Sequence, residues 1–356
     1  MTSRANRRKF LIGAGVAGAS LLAGCTGGDG DGNGSGNDSG GGGGSDRLSW
    51  DAGGTGGTYF PLSNNFKSII EANTDFSVDV RSTGASVENV GSLSQGNADF
   101  ALIQNDIAYF AYNGEGIDAF KDNAIESLRG VATLYPETIH IVTLAGTGIE
   151  QPADLQGKTI NTGDTGSGTQ VNAVQILEAL GVSDYQEQNT GFSQATEQLK
   201  NGDIDAAFVV GGWPVAAVAE LAQTEDVVIV PVEGENQQAV LDAAPFYAED
   251  EIPADTYGNE SPVPTVSVQA MIATTEQVPA DTVEQVTAAI FDNTDQIDTK
   301  QEFITKDTAL DGMSIPLHAG AEAYFGEEGG DGNATNDTNA TDANATNATN
   351  ATNESA

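Results

Sequence analysis

Basic side chains are scarce in this chain of 356 residues, with 13 Lys and Arg against 52 Asp and Glu, and it has one cysteine and two histidines. A formal net charge of −39 repels nucleic acid and anionic lipid headgroups, so neither is an expected partner. The lone thiol, Cys25, excludes an intramolecular disulfide and a thiolate-rich metal site. A hydrolase would need a nucleophile with a base, yet only His140 and His318 are available. His140 lies inside an apolar strand pattern, which marks it as structural. No enzymatic activity, cofactor or metal is expected. Nor does the uncharged run Phe10 to Gly24 have the length to span a bilayer comfortably.

That run has a different use. It follows Arg7-Arg8-Lys9 and ends in Leu22-Ala23-Gly24-Cys25, the order of a cleaved export signal. The arginine pair resembles a twin-arginine signal, which serves proteins that fold before export. The four residues ending in Cys25 resemble a lipobox, with residues 1–24 removed and Cys25 lipidated; a retained anchor ending in a plain cysteine is the alternative. Either places the protein at the extracytoplasmic face of the cell membrane. Removal of the leader leaves nine Lys and Arg against the same 52 acids, a net charge of −43. Acids scattered through periodic apolar segments suit a folded body with an acidic surface, a balance typical of molar internal salt and of a halophilic archaeon.

Residues 25–46 are rich in Gly, Asp, Asn and Ser and form an expected tether, reaching roughly 25 Å root-mean-square as a glycine-rich coil. The tail, 329–356, repeats Asn-x-Thr/Ser at Asn333, Asn336, Asn339, Asn344, Asn347, Asn350 and Asn353. These are glycosylation sequons in a chain expected outside the cytoplasm, although an unmodified low-complexity tail fits the same letters.

Between the ends, short apolar runs alternate with helical patterns. Strands are expected at 48–50, 76–81, 99–103, 131–134, 140–144, 158–161, 206–210, 227–230 and 266–272, and helices at 59–72, 87–95, 106–112, 169–180, 194–201, 214–222 and 279–293. Strands separated by helices of that length imply an α/β fold with mainly parallel sheets. Ligands of such sheets collect at the carboxyl ends of strands, where loops enter helix N-termini. Five loops there stand out: Gly53 to Tyr59, Ser82 to Asn89, Gln104 to Asp106, Thr162 to Thr169, and Val210 to Pro214. Glycines allow close backbone approach, and free N–H groups with hydroxyls suit an anionic oxygen. Ser86 and Asp106 serve equally as helix N-caps, and Pro214 fits the first position of a helix. The first loop lacks the Lys-Ser/Thr of a phosphate loop and the glycine spacing of a dinucleotide site.

The motifs Gly54-Thr55-Gly56-Gly57-Thr58-Tyr59-Phe60-Pro61-Leu62, Thr83 to Asn89, Ala132-Thr133-Leu134-Tyr135-Pro136-Glu137 and Gly166-Ser167-Gly168-Thr169, in that order, resemble the TAXI family (TRAP-associated extracytoplasmic immunogenic proteins). These are solute receptors of tripartite ATP-independent periplasmic (TRAP) transporters. The resemblance covers Leu48 to Phe325 and implies a type II periplasmic-binding-protein fold, two lobes joined by hinge strands: lobe 1 at 47–139 and 266–328, lobe 2 at 140–265. It implies a monomer that binds a small carboxylate such as glutamate, glutamine or a dicarboxylic acid and passes it to a TRAP-type permease. By the same resemblance the pocket comprises Thr55, Gly57, Thr58, Tyr59, Ser86, Gln104, Asp106, Tyr135, Ser167, Thr169, Gly211 and Trp213. Ala85, where glycine is frequent, and Trp213, where a small residue is usual, depart from the pattern. A receptor that signals to a partner instead of a permease uses the same hinge and reads identically in sequence; a surface glycoprotein would leave the five loops unexplained.

Overall fold

A strand that ends in glycines and is followed by an amphipathic stretch has little choice but to turn into a helix and come back. In the computed structural model β1 (Arg47–Asp51) does this through α1 (Tyr59–Asn73) to reach β2 (Ser77–Arg81), which lies parallel to it. α2 (Ser86–Ser94) then returns the chain to β3 (Phe100–Gln104), parallel to β1 on its other side, and α3 (Asn105–Asn113) follows directly. The structure describes residues 46–328. The export signal, Cys25, the tether up to residue 45 and the sequons lie outside the described residues.

Next comes β4 (Leu128–Leu144), a single strand of 17 residues and so roughly 56 Å long, which exceeds the width of one ordinary sheet. Up to Thr138 it pairs antiparallel with β10 (Val263–Thr275); from Ile139 its antiparallel partner is β7 (Ala206–Val210). A second α/β unit hangs on that far end, through β5 (Lys158–Asn161), α4 (Gly168–Ala179), β6 (Tyr185–Gln188) and α5 (Phe192–Asn201), with β5 parallel to β6 and β7. α6 (Ala216–Leu221), β8 (Val227–Ile229), α7 (Glu235–Ala243) and β9 (Ala248–Ile252) complete it. β10 then carries the chain back to α8 (Ala280–Phe291) and α9 (Ala319–Glu328). The strand order is β2-β1-β3-β10-β4-β7-β5-β6, with β8 on β4 and β9 on β10. The protein is therefore α/β with two lobes joined by the hinge strands β4 and β10.

Each lobe has its own apolar centre. In the first, the fully buried Trp50 stacks on Phe100 at 5.4 Å, meets the edge of Phe66 at 5.9 Å, and donates its indole N–H to Ser63 Oγ at 3.0 Å. In the second, Ile141, Ile160, Leu177 and Phe208 are buried together. Burying each such side chain is worth about 2 kcal/mol relative to leaving it in water.

The structure departs from the sequence reading in identifiable places. The strands expected at 131–134 and 140–144 are one, because Tyr135-Pro136-Glu137 interrupts the apolar run without interrupting the strand; Pro136 lies opposite Gln269, beside an irregularity in the register of β10. β6 and β9, reading Tyr-Gln-Glu-Gln and Ala-Glu-Asp-Glu-Ile, are mostly exposed and so lack the apolar run that would have marked them. α7 and α9 were likewise without a sequence expectation. Pro214 is not a first helical residue: α6 starts at Ala216, capped by Val215. Among the described residues no helix is long and apolar enough to cross a membrane.

Candidate functional site

The helices that start at strand ends in the two lobes point at one another. The N-termini of α1 and α2 from the first lobe and of α4 and α5 from the second meet around a cavity of about 580 Å³, open space at its mouth included. The first N–H groups of a helix have no partner within it and carry the positive end of its dipole, so four such ends turn partial positive charge toward the cavity although no cationic side chain lines it. Its ionisable walls are Glu137, Asp164 and Tyr59; no Lys, Arg or His lines it. Ser167 caps α4, its hydroxyl accepting from the Gln170 N–H at 3.0 Å. Ser86 does not cap α2: Ala85 holds that position, and Ser86 Oγ accepts the Gln104 N–H at 3.2 Å, tying the second loop to the third.

Of the residues singled out in the sequence, the structure gathers Gly57, Thr58, Tyr59, Ser86, Gln104, Ser167 and Thr169 on the cavity wall. Thr55 is exposed and outside it. Gly211 sits behind the wall, where an added Cβ would come within 3.1 Å of Thr58 Oγ1. Tyr135 is buried one layer down, its hydroxyl donating to Glu137 Oε1 at 2.6 Å. Asp106 is neither a cap nor a wall: it lies at the junction of the lobes, accepting from Asn172 Nδ2 at 2.8 Å. Burial drives its carboxyl up to about 6, with the Asn172 bond pulling the other way. Trp213 turns from the cavity toward Phe303, at 6.2 Å, and Lys300, whose ammonium lies 5.1 Å from its ring centroid and donates to the Trp213 carbonyl.

Sequence reasoning missed Glu137, Gly191 and Phe192 as walls, and had Asp164 only as part of the loop Thr162 to Thr169. Glu137 did leave a signal, an acid in the middle of an otherwise apolar run, and it is 3% exposed. Burial pushes its carboxyl up to about 8, against the bonds from Tyr135 and Gln104. The basic residues nearest strand ends are engaged elsewhere: Arg81 with Asp51 at 2.7 Å and Arg129 with Glu276 at 2.6 Å. His140 is structural. Its Nδ1 lies 2.9 Å from the Thr138 carbonyl and 3.2 Å from that of Val209, while Nε2 faces the Tyr257 hydroxyl at 3.0 Å, and burial holds its pKa down at about 4.

The two rims of the cavity are already in contact. The Ala217 N–H donates to the Gly56 carbonyl and the Glu88 N–H to the Gly166 carbonyl, each at 3.2 Å across the lobes. Phe246 of the second lobe packs on Tyr109 and Phe110 of α3 at 5.0 and 5.4 Å. The lobes thus stand closed around the cavity.

Residues 51–329 match the profile of the NMT1-like family, and the chain belongs to that family. Similar solved structures include the substrate binding protein of an amino acid ABC transporter, at 14% identity and a TM-score of 0.44 over 72% of this chain and 96% of that one. An ancestral arginine-binding protein bound to arginine is 15% identical, TM-score 0.45, over 72% and 96%. The periplasmic aliphatic sulphonate binding protein of Escherichia coli is 14% identical, TM-score 0.40, over 79% and 83%.

Proposed function

We propose that this member of the NMT1-like family is an extracytoplasmic solute-binding lipoprotein that captures a small carboxylate and delivers it to a membrane permease of the TRAP type. Glutamate, glutamine and small dicarboxylic acids are the candidate ligands, as for the TAXI receptors it resembles. The convergence of four helix N-termini, two from each lobe, on one cavity without a basic side chain carries this reading. Such ends hold a carboxylate through backbone N–H groups, and a ligand touching both lobes stabilises the closed form by its greater affinity for it. Anchoring through Cys25, folding before twin-arginine export and a glycosylated tail complete the proposal and rest on the sequence of the two ends.

Calorimetry of the full chain in molar salt against these carboxylates, neutral amino acids and sugars is the test. A saturable one-to-one isotherm with a carboxylate, weakened about tenfold or more by Ser167→Ala or Tyr59→Ala in a variant that still folds, is expected. Saturable binding of a sugar and of no carboxylate would overturn the ligand class, and silence across the panel would overturn the receptor.

A further inference from the structure

The inner wall of the cavity has acceptors where the rim has donors. Glu137 Oε1 is occupied by the Tyr135 hydroxyl, but Oε2 has only a long contact, 3.5 Å, from Gln104 Nε2. Of two further buried oxygens on the same wall, Gln104 Oε1 has no hydrogen-bond partner, and Tyr59 Oη faces Ser86 without a bond of good geometry. Orphaned polar atoms at a buried site are costly unless something fills them. The nearest cation does not: Lys300 lies behind the wall, donating to the Trp213 carbonyl and resting over the Trp213 ring.

We propose that Glu137, Tyr59 and Gln104 form a seat for the primary ammonium group of the ligand, so that the solute is an amino acid rather than an amine-free diacid. This rests on the receptor reading above and narrows it. An ammonium carries three N–H donors and no acceptor, and the wall offers three under-used oxygens and one potential negative charge. With the ligand carboxylate at the helix N-termini, the chamber is bipolar and complementary to a zwitterion. A metal ion fits poorly, since one carboxylate and two neutral oxygens fall short of the six or more oxygens that a hard cation takes.

The seat is linked to protons. Burial keeps the empty-site carboxyl of Glu137 protonated up to about 8, and an arriving ammonium ionises it, releasing that proton to solvent. The other titratable groups facing it are Tyr135 on its own strand, Tyr59 on α1, Asp106 on α3 and, from behind, Lys300; Asp164 lies on the opposite wall. Among these, the tyrosines stay neutral because burial and the Glu137 charge raise them further.

Titration of the full chain with L-glutamate, L-glutamine, glutarate and 2-oxoglutarate in molar salt decides it. The amino acids are expected to bind at least about tenfold tighter than the two amine-free diacids, the yield of one good charge-assisted contact. At pH 7, buffers of different ionisation enthalpy should report proton release with the amino acids. Glu137→Gln and, independently, Tyr59→Phe should weaken the amino acids more than glutarate. Glutarate binding as tightly as glutamate, or an unchanged affinity of Glu137→Gln for glutamate, overturns the seat while leaving the receptor standing; silence of these four together with the neutral amino acids and sugars overturns both.

Discussion

Asp106 and Asn172 meet across the junction of the two lobes, Asn172 Nδ2 donating to Asp106 Oδ2 at 2.8 Å, while Asp106 Oδ1 and Asn172 Oδ1 have no partner. An acid and an amide that share one hydrogen bond can share two if the acid is protonated, because its O–H then reaches the amide carbonyl. That proton would satisfy both orphans at once.

The consequence is a pH-dependent latch. Asp106 is raised to about 6 in the folded protein, from about 4 in an unfolded chain, so the native state holds the proton more tightly and loses stability as pH rises through that window. The loss is up to about 3 kcal/mol. Asp106→Asn keeps a donor at the orphan position at every pH. Urea denaturation at pH 4 and 7 should show parent and variant close at pH 4 and the variant more stable at pH 7; an equal gap at both values would refute a shared proton. Tyr247, Tyr59 and Glu137 are the other titratable groups facing Asp106, so the comparison is made against the parent at each pH.

Closure also depends on one hydrogen atom at residue 168. A Cβ there would stand 1.7 Å from Gln104 Oε1 and 3.1 Å from Ser86 Oγ, both in the opposite lobe. Gly168→Ala should hold the lobes apart, lowering ligand affinity about tenfold or more. The radius of gyration from X-ray scattering should rise slightly, while the melting temperature without ligand barely moves. Unchanged affinity would mean that Gln104 swings aside at no cost.

Ala85 is a position where the sequence works against the backbone. Its φ of 73° lies in the region that favours glycine, at the cap of α2. Ala85→Gly should stabilise the protein by about 1 kcal/mol, the strain released less the entropy glycine gains when unfolded, visible as a melting temperature a few degrees higher.

Salt provides the fourth expectation. With a net charge of −39 and the six described ion pairs on or near the surface, self-repulsion is relieved chiefly by counterions. Screening shortens from about 10 Å at 0.1 M to about 3 Å at 1 M, so the melting temperature should climb across that range and flatten beyond it. A melting temperature independent of salt would show that the acids are neutralised internally.

The sequence announced the loops better than the walls between them. Thr58, Tyr59, Ser86, Ser167 and Thr169 were legible because strand-to-helix turns concentrate glycine and hydroxyl residues, and the structure brings them to one cavity. Glu137 left a signal, an acid inside an apolar run, but was not placed at the site because a charged residue following a proline reads as a loop, whereas β4 runs straight through it. Trp213 was expected in the pocket by the family resemblance, but Lys300 and Phe303, nearly ninety residues on, draw it away from the cavity. Contacts between residues so distant in the chain leave no local pattern. The same is true of Asp106, whose cap-like position at the start of a helix gave no hint of Asn172.

The course of β4 and β10 also orders events at the ribosome. In the first sheet β10 lies between β3 and β4, and it is the last strand to be translated. A growing chain therefore has every strand of β4-β7-β5-β6 in hand while its first sheet is still split down the middle. Until residue 275 has emerged, the opening half of the protein waits, its central seam vacant, for the middle of the chain to be finished first.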